Sequence, residues 1–149
     1  MKNFKELLIE LKACDEAIKW AGNKSWPEVY DQCKRGDWLL WLFKKTNQCD
    51  LRLLTLAKGK CAETIIHLMQ DQRSKVAVKA AIDFGNGVIN EDELTYASVY
   101  ASAYATYAAA SAYAYAASYA AGGDYARKQN ELLTANIVRE VIAIEKFNI

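Results

Sequence analysis

Thirty consecutive residues, Leu94 to Gly123, carry no charge and are nearly all alanine, tyrosine and serine. Alanine has the highest helix propensity of the common residues, so this run has one natural fate. Asn90 stands before it as an N-cap, Glu93 sits three residues on as its partner, and Glu91, Asp92 and Glu93 put three acids in the first turn. Gly122-Gly123 closes the run. The expectation is a helix over about 91–121. At about 100° per residue, Tyr96, Tyr100, Tyr104, Tyr107 and Tyr115 share one arc, and Tyr113 projects from another side. Small residues between them let neighbouring helices come close, while each tyrosine offers an apolar ring with a polar tip. Two roles stay open: a central helix surrounded by others, or an exposed stripe (Tyr96, Tyr100, Tyr104, Tyr107, Tyr113) that binds a protein partner. The run is long enough to cross a bilayer. Its tyrosines, serines and threonines, its near lack of Leu, Ile and Val, and its flanks without basic excess argue against a span.

The rest of the chain reads as helix in the same way. One proline and seven glycines in 149 residues leave room for long helices. Phe4, Leu7, Leu8, Leu11 and Ala13 follow helical spacing, and Ala17, Ile18 and Trp20 continue the face up to Gly22-Asn23. Ser25, Pro27 and Glu28 form a helix-start signature. Arg35-Gly36-Asp37 reads as a break with Asp37 as the N-cap of the next helix. The six apolar residues that follow, Trp38 to Phe43, leave no polar face and belong mid-core. Residues 50–71 suggest one amphipathic helix with a soft spot at Gly59. Ser74 to Phe84 suggest another, stopped by Gly85-Asn86-Gly87. A last helix, about Tyr125 to Phe147, puts Leu132, Leu133, Ile137, Val141 and Ile144 on one stripe. No strand pattern occurs. The expectation is one all-α domain over 1–149, a compact bundle of about seven helices around the Ala/Tyr-rich helix.

Charge and chemistry narrow the function. Hydrophobic residues at 52% and charged residues at 25% give a globular balance, and a net charge of +1 offers nucleic acid no bulk attraction. Cys14, Cys33, Cys49 and Cys61 include no CxxC pair, so they read as reduced, mostly buried thiols. With a charged start that lacks a cleavage site, they point to the cytoplasm. The single histidine, His67, has Glu63 and Asp71 at i−4 and i+4. On one continuous helix these three would share a face, as a metal or acid–base site or as an ordinary charged surface. No phosphate-cradling loop, HExxH or GxSxG elbow occurs, and Cys14 has no catalytic histidine in register. No catalytic residue, cofactor or metal is expected.

One pattern goes beyond periodicity. Ala13-Cys14-Asp15-Glu16-Ala17 with Trp20, then Cys33-Lys34-Arg35-Gly36-Asp37-Trp38-Leu39-Leu40-Trp41-Leu42, then Cys61-Ala62, Ala80-Ala81, Glu91 to Leu94 and Ile137-Val138-Arg139 follow one another in order. This resembles the all-α immunity proteins of bacterial polymorphic toxin systems, which have relatives in phage genomes. The resemblance implies a non-catalytic protein that binds and blocks a cognate toxin, and it brings no catalytic residues with it. The matched residues themselves read as scaffold: Asp37 as a cap, Trp38 and Trp41 as core, Cys33 and Cys61 as buried packing. The tyrosine content of the Ala-rich region departs from the family pattern. Two other functions remain open. One is a small-molecule or nucleotide-binding helical protein with Arg139 or Arg127 entering a crevice beside the tyrosines. The other is an assembly protein that self-associates through the Ala/Tyr helix.

Overall fold

Capping explains where most helices begin in the computed structural model, which describes residues 3–47, 50–69, 72–100 and 124–149. Asn3 and Glu6 form a capping box around the start of α1 (Phe4–Glu10). Cys14 precedes α2 (Asp15–Ala21), whose first turn carries Asp15 and Glu16 against the helix dipole. The Ser25 backbone N–H donates to Glu28 at 2.7 Å at the start of α3 (Trp26–Gln32), with Pro27 in its first turn. Next come α4 (Gly36–Thr46) and α5 (Leu51–Glu63), which Asp50 caps by accepting from the Leu53 N–H at 3.0 Å. A 3₁₀ turn, Ile66–Leu68, leads to α6 (Gln72–Gly85). Asn90 and Glu93 exchange two 2.9 Å bonds at the start of α7 (Glu91–Tyr100). Last are α8 (Asp124–Val141) and a second 3₁₀ turn, Ile144–Phe147. Among the described residues there are eight α-helices and no strand, so the fold is all-α.

The core lies where α4 meets α8, α5 and the terminal turn. Leu39, Leu40, Leu42 and Phe43 of α4 are buried there with Ala135 and Val138 of α8, Ile142 and Phe147. A second cluster, Ala62, Ile65, Met69 and Val78, lies between the end of α5 and α6. Arg52 fastens this side by donating to the Phe84 carbonyl at 2.6 Å, its guanidinium 4.4 Å from the Phe84 ring centre. Of the helix expected over 91–121, only the part up to Tyr100, α7, falls within the described residues. That part packs on α6, and Tyr96 is 69% exposed. The side chain of Tyr100, and all of Tyr104, Tyr107 and Tyr113, lie outside the described residues.

Four local readings change. The expected first helix is two: α1 stops at Glu10, and Lys12, just past its cap, takes a left-handed φ of 60°. The Ala13 N–H bonds to the Leu8 carbonyl and the Lys12 N–H to the Ile9 carbonyl, a Schellman stop with lysine in the position glycine usually takes. Asp37 is not the cap of α4. Arg35 holds that place, and Asp37 lies inside the first turn with its carboxylate clasped by the Arg35 guanidinium. The helix expected over 50–71 stops at Glu63, so His67 sits in the 3₁₀ turn and shares no helical face with Glu63; Asp71 lies outside the described residues. On the last helix Ala135 and Val138, with Ile142 just beyond it, are fully buried; Ile137, Val141 and Ile144 of the expected stripe pack at the edge of the core, whereas Leu133 is 47% exposed. The reason is proximity. Gly36 approaches the Thr134–Ala135 backbone so closely that an added Cβ would lie 2.6 Å from Thr134. The close approach at Gly36 thus turns Ala135, and not Leu133, toward α4.

Candidate functional site: a tryptophan-lined crevice

The break at Lys12 turns α2 back beside α1, and both then pack against α3 and α4. Four short helices meeting this way cannot close completely. They leave a crevice of about 430 Å³ lined by Phe4 and Leu8 of α1, Ala17 and Trp20 of α2, Val29 of α3, and Trp38, Leu39 and Trp41 of α4. Its lining is mostly apolar, with Lys12, Cys14, Cys33 and Asp37 as the polar members.

The three tryptophans are held from outside by cations. Trp20 and Trp38 meet edge to face, centroids 6.0 Å apart. The Lys24 ammonium lies 4.6 Å from the Trp20 ring centre and donates to the Trp20 carbonyl at 2.6 Å. The Arg35 guanidinium lies 4.7 Å from Trp38, and the Lys45 ammonium 5.9 Å from Trp41. Each contact stabilises by about 0.5–1 kcal/mol at a half-exposed ring and fixes the ring's tilt. Arg35 is itself fixed. It donates to the two Asp37 oxygens at 2.9 and 2.7 Å and reaches Glu131 at 3.9 Å, and this pairing holds its charge firmly. Asp37 thus serves the wall of the crevice. Trp38 and Trp41 are half-buried, with part of each ring open to solvent.

The buried thiols are inert. Cys33 is 2% exposed; burial pushes its thiol up, and its Sγ donates to the Arg35 carbonyl at 3.5 Å. Cys61, 5% exposed, is pushed up to about 12 by burial and faces the Thr134 carbonyl of α8. Cys14 is exposed, and Cys49 lies outside the described residues. Among the described residues no three of His, Cys, Asp and Glu gather closely enough to hold a metal.

The arginines considered for a ligand crevice are tied into structure. Arg139 donates to the Tyr30 and Cys33 carbonyls at 3.0 and 2.8 Å, capping the end of α3, and Tyr30 Oη returns a 2.9 Å bond to the Ile142 carbonyl. Arg127 pairs with Asp124 at 3.3 Å and Glu131 at 3.9 Å. Neither lines the tryptophan crevice, and the tyrosines beside which a ligand crevice was expected lie mostly outside the described residues.

Two stretches that the sequence singled out separately, 13–20 and 33–42, therefore converge on one cavity. Ala13, Cys14, Ala17 and Trp20 form one side, and Cys33, Asp37, Trp38, Leu39, Trp41 and Leu42 the other. Read as sequence, they looked like packing. The missing signal was the left-handed Lys12, which no glycine or proline announced. No helix among the described residues is long and apolar enough to cross a membrane. In comparisons with family models, curated proteins and solved structures, no match to this chain was found.

Proposed function

We propose that this chain is a non-catalytic binding protein of the immunity type, which binds and neutralises a cognate toxin, and that the tryptophan-lined crevice receives an apolar anchor from that toxin. The observation that supports this reading is the convergence just described: the two stretches carrying the family resemblance both line one open apolar crevice. A purely structural match would be expected to fill a closed core. Aromatic pockets ringed by charge are where binding energy concentrates at protein interfaces. Seating one Leu- or Phe-sized side chain there yields about 1.5–3 kcal/mol from burial. Trp20 and Trp38 already pack against Lys24 and Arg35, which lowers the ordering cost of binding.

A second reading, a small apolar ligand, is favoured by volume: about 430 Å³ lies within the range of small-molecule sites. The exposed Tyr96 supports an assembly role less, because one described ring does not make a surface. Co-expression with the products of the genes that flank its own, screened for toxicity, tests the first reading. The chain should restore growth, and Trp38→Ser should abolish the rescue while leaving the helical circular dichroism unchanged. Growth restored equally by Trp38→Ser, or not restored by the native chain, would overturn it.

A further inference from the structure

Lys12 is the one cation on the crevice lining. It is exposed, and no hydrogen bond or ion pair engages its ammonium among the described residues. The other cations around the crevice are committed: Lys24 to the Trp20 carbonyl and ring, Arg35 to Asp37 and Trp38, Lys45 to the Trp41 ring. Lys12 also occupies a backbone site that disfavours it. Its φ of 60° at the Schellman position suits glycine, because a left-handed conformation brings the Cβ of an L-residue against the following carbonyl. The dipole of a seven-residue helix returns only part of that cost to a lysine at its C-terminus. A strained, exposed lysine on the lining of an apolar crevice, with no partner of its own among the described residues, is a candidate for a ligand's charge.

The geometry points to a crevice that takes an apolar side chain with a carboxylate beside it, the carboxylate pairing with Lys12 at the mouth. On the reading proposed above, the occupant is a surface segment of the toxin in which a large apolar residue adjoins an acidic one. Asp37, the only acid on the lining, does not compete for that cation, because both of its oxygens are held by Arg35. The inference rests on the crevice being the binding site, and its test separates the two.

N-acetyl-L-phenylalanine and its amide differ by one charge and serve as probes for the intact chain, read by the indole NMR signals of Trp20 and Trp38. The acid should bind roughly threefold to fivefold more tightly than the amide at low salt, as a partly shielded ion pair gives. That preference should fade at high salt. Lys12→Gln should lose it and Lys12→Arg keep it. Lys12→Gly should lose it too, while shifting the unfolding equilibrium several-fold toward the folded state. This last pair of results is not what a merely structural lysine would give. If acid and amide bind equally to the native chain, or Lys12→Gln keeps the preference, the pairing with Lys12 is wrong and the crevice reading stands. If neither probe moves the two indole signals at millimolar concentration, the crevice reading falls with it.

Discussion

At the scale of single residues, burial decides which thiol can react. A thiol nucleophile must first ionise, and the Cys61 site, closed on all sides and facing a carbonyl, disfavours the thiolate. With its pKa near 12, it is about one part in ten thousand thiolate at pH 8. Cys33 is displaced in the same direction, again mainly by burial, and the nearby Arg139 and Arg35 offset only part of this. Cys14 stands exposed at the edge of the crevice. Iodoacetamide at pH 8 should therefore label Cys14 at least a hundredfold faster than Cys33 or Cys61, whose labelling should track global unfolding. Peptide mapping by mass spectrometry resolves each site. Equal labelling of Cys33 and Cys14 in the absence of urea would show that the wall between α3 and α4 opens readily.

At the scale of elements, glycines set the helix spacing. Residue 59 reads in the sequence as a weak point inside a helix, where alanine would add stability by propensity alone. In the structure Gly59 is buried against α6: a Cβ there would lie 2.9 Å from Ile82 Cγ1 and 3.1 Å from Ala81 Cβ. At Gly85 the obstacle is harder, with Leu56 Cβ at 2.3 Å and Leu56 Cα at 2.8 Å. Gly85→Ala should cost about 2–3 kcal/mol, because backbone must move. Gly59→Ala should cost less than Gly85→Ala: its contacts, with Ile82 Cγ1, Ala81 Cβ and the Ile82 N at 3.2 Å, are looser, and the helix gains about 1 kcal/mol in propensity. Urea midpoints of the two variants check the order, and a larger loss at Gly59 would contradict the crossing of α5 and α6. These glycines also show what a sequence conceals. The capping boxes at Ser25 and Asn90 and the stop at Gly87, where φ is +76°, are legible because their signals are local. The role of Gly36 depends on the Thr134 backbone about a hundred residues away, and no local pattern encodes it. For the same reason the face of α8 was legible as helical but not in rotation. The bulk of Leu133 suggested burial, yet the approach of Gly36 selects Ala135. The crevice was half-legible: its residues stood out as a pattern, but their arrangement around a cavity depends on the turn at Lys12.

At the scale of the whole molecule, residues from both ends of the chain meet behind the crevice. Phe4 of α1 stacks on Trp26 at 5.4 Å, Trp26 lies 4.9 Å from Phe147, and Phe147 also meets Tyr30 at 5.7 Å and Phe43 at 5.3 Å. Phe147 thus joins α3 and α4 through one fully buried ring, and the bonds from Tyr30 to Ile142 and from Arg139 to Cys33 hold the segment that carries it. Phe4 has a second contact surface, because it also lines the crevice. Removing the Phe147 ring leaves a cavity among three aromatic neighbours, Trp26, Tyr30 and Phe43, so Phe147→Ala should cost about 3–5 kcal/mol. Leu133→Ala, on the exposed side of α8, should cost less than about 0.5 kcal/mol. Interiors are close-packed, and Phe4 is free to drop toward the vacated space through Trp26. Phe147→Ala should therefore also weaken binding of N-acetyl-L-phenylalanine under conditions where the variant is still fully folded by circular dichroism, and Leu133→Ala should not. Unchanged probe binding in folded Phe147→Ala would mean that the crevice walls are positioned by α2 and α4 alone, through the Trp20–Trp38 contact and its two cations.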